Sequence, residues 1–175
     1  MKKVLLIGCG NTLRADDGVG WHAARRMADF PVPAGVTVLT CHQLTPELAA
    51  SVHAARRVIF VDASVAEPPG IIRVRPVVPA SALPVVLGHF LSPGNLMALA
   101  QKALGGCPPA VLVSVGARCF GFGEPLSAEV RRSLPELMDC LCRLISLRTA
   151  SFGKSCTRDA RLVEKSRNVK KQKFG

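Results

Sequence analysis

The sequence has no tyrosine, a single tryptophan and only 5% aromatic residues among its 175. Its core must therefore be assembled from the plentiful Val, Leu, Ile and Ala rather than from stacked rings. Long hydrophobic runs are missing too. The longest weakly charged stretch, Pro76 to Leu91, is broken by Pro79 and Pro84 and falls short of the roughly 20 apolar residues of a membrane span. No transmembrane helix and no membrane partner are expected. Near the amino terminus the apolar run Val4 to Ile7 is too short for a secretory leader, and Arg14, Asp16 and Asp17 soon follow it. Seven cysteines, an odd number without C-x-x-C spacing, argue against a disulfide framework or structural zinc and for reduced thiols in a cytoplasmic protein. Also absent are a G-x-S-x-G elbow and an H-E-x-x-H helix, which removes two common hydrolase plans.

What is present is ordinary globular composition, 49% hydrophobic and 20% charged, in a chain long enough for one domain of about 150 residues. Excess positive charge, +11 overall, is concentrated at the end: residues 148–175 hold nine Lys or Arg against Asp159 and Glu164. We expect one domain over 1–147 and a flexible, solvated basic tail over 148–175, which lacks the apolar periodicity needed to dock. Only Phe152 and Phe174 interrupt its charge, so nucleic acid is not an expected partner.

Hydrophobic periodicity orders the domain. Strands are expected at Lys3 to Ile7, Val36 to Cys41, Val58 to Val61 and Val111 to Val115, and helices at Gly18 to Phe30, Thr45 to Ala55 and Asn95 to Leu104. A last amphipathic helix begins after Ser127 and carries Leu134, Leu137, Leu141 and Ile145. Ile71 to Val74 reads as a further strand, but the eight residues after Asp62 are too few for a helical crossover, so that strand is antiparallel. The fold class is α/β: a single-domain, three-layer α/β/α arrangement with a mostly parallel five-stranded sheet and one antiparallel edge strand.

The densest motif runs from Gly8 to Gly20, GCGNTLRADDGVG. As a dinucleotide fingerprint it fails, because Leu13 stands where a third glycine belongs and Cys41 where an acid would close the second strand. Adjacent carboxylates at Asp16 and Asp17 are costly unless one turns to solvent or a cation neutralises it. A helix N-cap would explain one of them; we read Asp16 as a loop or cap residue, whose replacement by asparagine should cost little activity, and assign chemistry to Asp17. Asp62 follows an apolar run, either as a turn residue or as the second member of a carboxylate pair at the carboxyl edge of the sheet. An imidazole would add selectivity for nickel, zinc or a similar ion. His22 and His53 fall in helices and read as surface residues, which leaves His89 as first choice and His42 as second. Cys9 reads as a small buried filler.

These residues resemble the hydrogenase maturation endopeptidases. The resemblance rests on G-x-G-N-x-L-x-x-D-D-G-x-G at Gly8 to Gly20, on Gln43 to Leu48, on Asp62-Ala63, on His89 with Ser92-Pro93 and Leu96, and on Leu126-Ser127. It covers residues 1 to 147. It implies an endopeptidase that removes the carboxy-terminal extension of a nickel-iron hydrogenase large-subunit precursor after nickel insertion, recognising nickel that the precursor supplies. The metal-contacting and catalytic residues would then be Asp17, Asp62 and a histidine near the Ser-Pro step. Some members place that histidine directly after the proline, where this chain has Gly94, and His89 is the one nearby. The alternatives are a non-hydrolytic metal-binding maturation chaperone and a nucleotide-binding protein. A monomer is expected.

Overall fold

A computed structural model describes residues 3–31, 33–82, 91–123 and 125–147. The basic tail and His89 lie outside the described residues. The strands are β1 (Val4–Cys9), β2 (Val36–Cys41), β3 (Arg57–Ser64), β4 (Ile72–Val77) and β5 (Ala110–Gly116); the helices are α1 (Val19–Asp29), α2 (Leu48–Ala54), α3 (Pro93–Leu104) and α4 (Ala128–Ser146). They form one five-stranded sheet in the order β2-β1-β3-β5-β4. All neighbours are parallel except β4 against β5, so the antiparallel edge lies where the short connection required it. Pro76 sits on this edge strand, where the missing N–H costs no ladder bond to a second neighbour.

Strand alternation sends side chains to two aliphatic cores. On one face Leu6, Ile59, Val61 and Val113 pack against α1 and α4; on the other Leu5, Ile7, Val58 and Phe60 pack against α2 and α3. The amphipathic spacing read in the sequence thus becomes a three-layer sandwich with helices on both faces. Two boundaries moved. The Thr45-Pro46-Glu47 segment makes a turn, with Leu48 N–H donating to Thr45 C=O, before α2 begins at Leu48. β3 continues through Asp62 to Ser64, because its last three residues still pair with Ser114, Val115 and Gly116 of β5.

The glycines of the opening motif act mainly through packing. A Cβ on Gly8 would collide with the Gly20 carbonyl, and one on Gly20 would collide with the carbonyl oxygens of Val61 and Cys9. α1 therefore lies against β1 and β3 at a distance that only glycine allows. At the opposite end of the sheet, buried Arg57 donates to the carbonyls of Ile145 and Leu147, satisfying the last turn of α4 and placing a cation at the negative end of that helix. Replacing Arg57 by methionine is expected to lower stability by about 2 kcal/mol, measured as a lower urea midpoint with an unchanged slope. An unchanged midpoint would show that the guanidinium does not hold the helix end.

Candidate active site

The chain leaves β1 through a loop that turns back on itself as a single turn of 3-10 helix, Ala15–Gly18, before α1. Gly10 adopts a φ of +133°, and Ala15 stands in the left-handed region at φ 47°. A non-glycine residue there is held by its surroundings. The restraint is visible: Ala15 N–H donates to Gly123 C=O at 2.5 Å, and Gly123 N–H donates to Leu13 C=O at 2.9 Å. The loop after β1 is thereby joined to the loop between β5 and α4.

Asp16 completes that junction, and here the sequence reading requires correction. It lies in the loop, as expected, but it caps no helix of its own. Its side chain is fully buried and accepts three backbone N–H bonds: Oδ1 from Ser127 at 2.7 Å, Oδ2 from Arg118 at 3.0 Å and from Cys119 at 2.9 Å. Burial alone would raise its carboxyl pKa, but these donors favour the charged form and outweigh it, leaving the pKa below the ordinary value. The adjacent acids are tolerated because the backbone, rather than a cation, neutralises the first.

Asp17 is only half-buried, and its Oδ2 accepts the Asn11 N–H at 3.0 Å. Asp62 arrives from β3 on the α2–α3 face, following Val58 and Phe60 in the alternation. Its Oδ1 accepts the Ala63 N–H at 2.8 Å. Burial pushes its carboxyl up to about 6, the Ala63 bond opposes this, and the negative charge of Asp17 adds to the rise. The charge of Asp17 thus reaches Asp62 across the carboxyl ends of β1 and β3. That position is the switch point of the sheet, since β2 lies on one side of β1 and β3 on the other, and such crevices are where open α/β sheets hold ligands.

Across the same face run two further polar side chains. Ser114 is the Cα partner of Asp62 on β5, and Arg73 is the partner of Ser114 on β4. The Ser114 hydroxyl is buried and has no hydrogen-bond partner among the described residues. Next to Asp62 on the other side, Cys9 pairs in register with Cys41, their sulfurs 3.5 Å apart. A hydrogen bond with Cys41 and burial push the Cys9 thiol far up, while the same hydrogen bond brings Cys41 down. Cys9 is buried in the core as expected, and its sulfur also meets that of Cys41. A serine within the apolar run of β5 and a cysteine ending each of β1 and β2 were the available sequence signals, and they gain meaning only from the strand order.

The histidines divide differently from expectation. His42 follows β2 directly and is exposed at the site's edge. His22 and His53 are half-buried rather than on the surface: His22 packs edge-on against Trp21, and His53 Nδ1 bonds Gly106 C=O at 2.8 Å. Among the described residues no three metal-ligating side chains are gathered at one point; His89 is not one of those residues.

No family model matches the chain, and no curated relative matches it. Solved structures do. The [NiFe] hydrogenase maturation protease HycI from Thermococcus kodakarensis is similar at TM-score 0.66 and 20% identity, over 83% of this chain and 94% of that one. The hydrogenase maturating endopeptidase HybD from E. coli is similar at TM-score 0.65 and 20% identity, over 79% and 89%. A hydrogenase 2 maturation peptidase from a Thaumarchaeota archaeon is similar at TM-score 0.62 and 24% identity, over 84% of this chain and 100% of the other. The described residues thus carry, around a half-buried acid pair at the sheet's switch point, the fold of the hydrogenase maturation proteases.

Proposed function

We propose that this chain is a hydrogenase maturation endopeptidase that removes the carboxy-terminal extension of a nickel-iron hydrogenase large-subunit precursor. The observation that carries the reading is the placement of Asp17 and Asp62 at the carboxyl ends of the neighbouring parallel strands β1 and β3, on a fold similar to that of HycI and HybD. Nickel enters as part of the substrate, and its chemistry there is to polarise a peptide carbonyl. The chain's own residues supply the rest. Asp17 and Asp62 offer hard oxygen donors to a borderline cation, with His89 as the proposed imidazole and His42 as its substitute.

Asp62 also has the features of a proton acceptor. Its raised carboxyl, about 6, lies near the operating pH, where a group both accepts a proton from attacking water and returns one to the leaving amine. Neither a nucleophilic serine nor a thiol is required by this scheme. Incubating the purified chain with nickel-loaded precursor and following the intact mass of the large subunit tests it. Loss of a carboxy-terminal peptide, abolished by Asp17→Asn and by His89→Ala in folded protein, is the expected result. Tight binding of the precursor without cleavage would favour the chaperone reading instead, and cleavage that survives His89→Ala but not His42→Ala would exchange the imidazole.

A further inference from the structure

Two cysteines end neighbouring parallel strands. Cys9 closes β1, Cys41 closes β2, and they are Cα partners in the ladder. Adjacent strands lie about 4.7–4.9 Å apart, inside the Cα separation that a disulfide spans. Both side chains belong to the α2–α3 face, and the two sulfurs already stand 3.5 Å apart. Closing that gap to a covalent bond of about 2.05 Å takes side-chain rotation with little strand movement. Cys9 is buried and Cys41 partly exposed, so one sulfur faces an incoming reagent while the other waits behind it.

We infer that Cys9 and Cys41 form an oxidisable dithiol, a modification site that closes to a cross-strand disulfide when a peroxide reaches it. The Cys41 sulfur attacks one peroxide oxygen and the O–O bond breaks. The departing hydroxide takes the thiol proton to become water, and Cys41 is left as a sulfenic acid. The Cys9 sulfur then attacks the Cys41 sulfur, the S–O bond breaks, and the second hydroxide leaves as water with the Cys9 proton. Two thiols lose two electrons and hydrogen peroxide is reduced to two waters. The order of the steps follows from access: Cys41 is the partly exposed member and buried Cys9 lies 3.5 Å behind it, placed to attack the oxidised sulfur.

Closure would reach the acid pair by a short route. Cys9 is the last residue of β1, the loop that begins after it carries Asp17, and the charge of Asp62 is felt at both sulfurs. A link between β1 and β2 fixes the origin of that loop, so oxidation is expected to slow precursor cleavage reversibly; this arm rests on the proposed function.

The test uses the full chain, reduced, exposed to hydrogen peroxide, trapped with a thiol-alkylating reagent and mapped by peptide mass. The expected result is a Cys9–Cys41 linked peptide, lighter than the two thiol peptides by two hydrogens and restored by dithiothreitol. In Cys9→Ser, or Cys9→Ala should the serine variant fold poorly, Cys41 stops at the sulfenic acid. Oxygen addition at Cys41 with Cys9 untouched in the unaltered chain would overturn the inference, as would linkage through exposed Cys119 or Cys142 instead. Should the reduced chain fail to cleave precursor, the functional reading fails while the thiol map still decides this one.

Discussion

Asp16→Asn is expected to lose about 3 kcal/mol of folding stability, a fall in melting temperature of roughly 10 °C, whereas Asp17→Asn changes stability by less than about 1 kcal/mol. The asymmetry follows from partners. Asp16 is fully buried and accepts N–H bonds from Arg118, Cys119 and Ser127. An asparagine retains one acceptor oxygen and aims an NH2 group at donors that have nowhere else to go. Asp17 accepts one such bond at a half-buried position, which an amide oxygen also serves. The pH dependence has a definite sign. Because the folded carboxyl of Asp16 titrates below its unfolded value, its contribution is complete above the unfolded pKa of about 3.9 and disappears as pH falls through the folded one. The acid limb of the melting curve should therefore be steep in the unaltered chain and flatter in the variant. Equal melting temperatures for the two variants at pH 7 would refute the assignment.

Asp62→Asn should combine complete loss of cleavage with a gain in stability. Asp62 titrates at about 6 in the folded chain against an ordinary 3.8, so folding favours its protonated form. The associated stability is present in full below the unfolded value and is lost as pH rises through about 6. At pH 8 the ionised carboxylate, poorly solvated and beside Asp17, costs on the order of 2–3 kcal/mol. A neutral amide at position 62 keeps the Ala63 N–H bond and removes that cost. Melting in the absence of precursor should place the variant several degrees above the unaltered chain at pH 8, with the difference vanishing below pH 4. A variant less stable at pH 8 would mean that an unrecognised cation already balances the pair.

Much of this arrangement was legible beforehand because it depends on local chemistry. Apolar runs of four to six residues marked every strand, the short connection after Asp62 announced the antiparallel edge, and Ser127 was read as the start of the last helix, whose Val130 N–H its hydroxyl accepts. The acid pair was placed at the right edge of the sheet for the right topological reason. What escaped was set by contacts distant in sequence. Nothing near Asp16 tells that its partners lie on the loop before α4, and nothing in Cys9 or Cys41 alone says that their strands are neighbours in register. Thr45-Pro46-Glu47 has the chemistry of a helix start, yet packing of Leu44 and Ala49 into the core beneath α2 left those residues in a turn instead.

The three bonds of Asp16 also fix when the site is assembled. They span 102, 103 and 111 residues of sequence, whereas both reactive acids are already present once Asp62 has been synthesised. Closing a loop of about 100 residues costs roughly 4 kcal/mol of chain entropy, and only β5 and α4 can return it. A growing chain on the ribosome therefore carries Asp17 and Asp62 for half of its synthesis without holding the turn that aims the first of them. Folding of this turn waits for the far end of the domain, so a truncated or nascent product possesses the acids without a competent site. Under the proposed function, cleavage therefore waits until the chain has been made past Ser127 and α4 has packed.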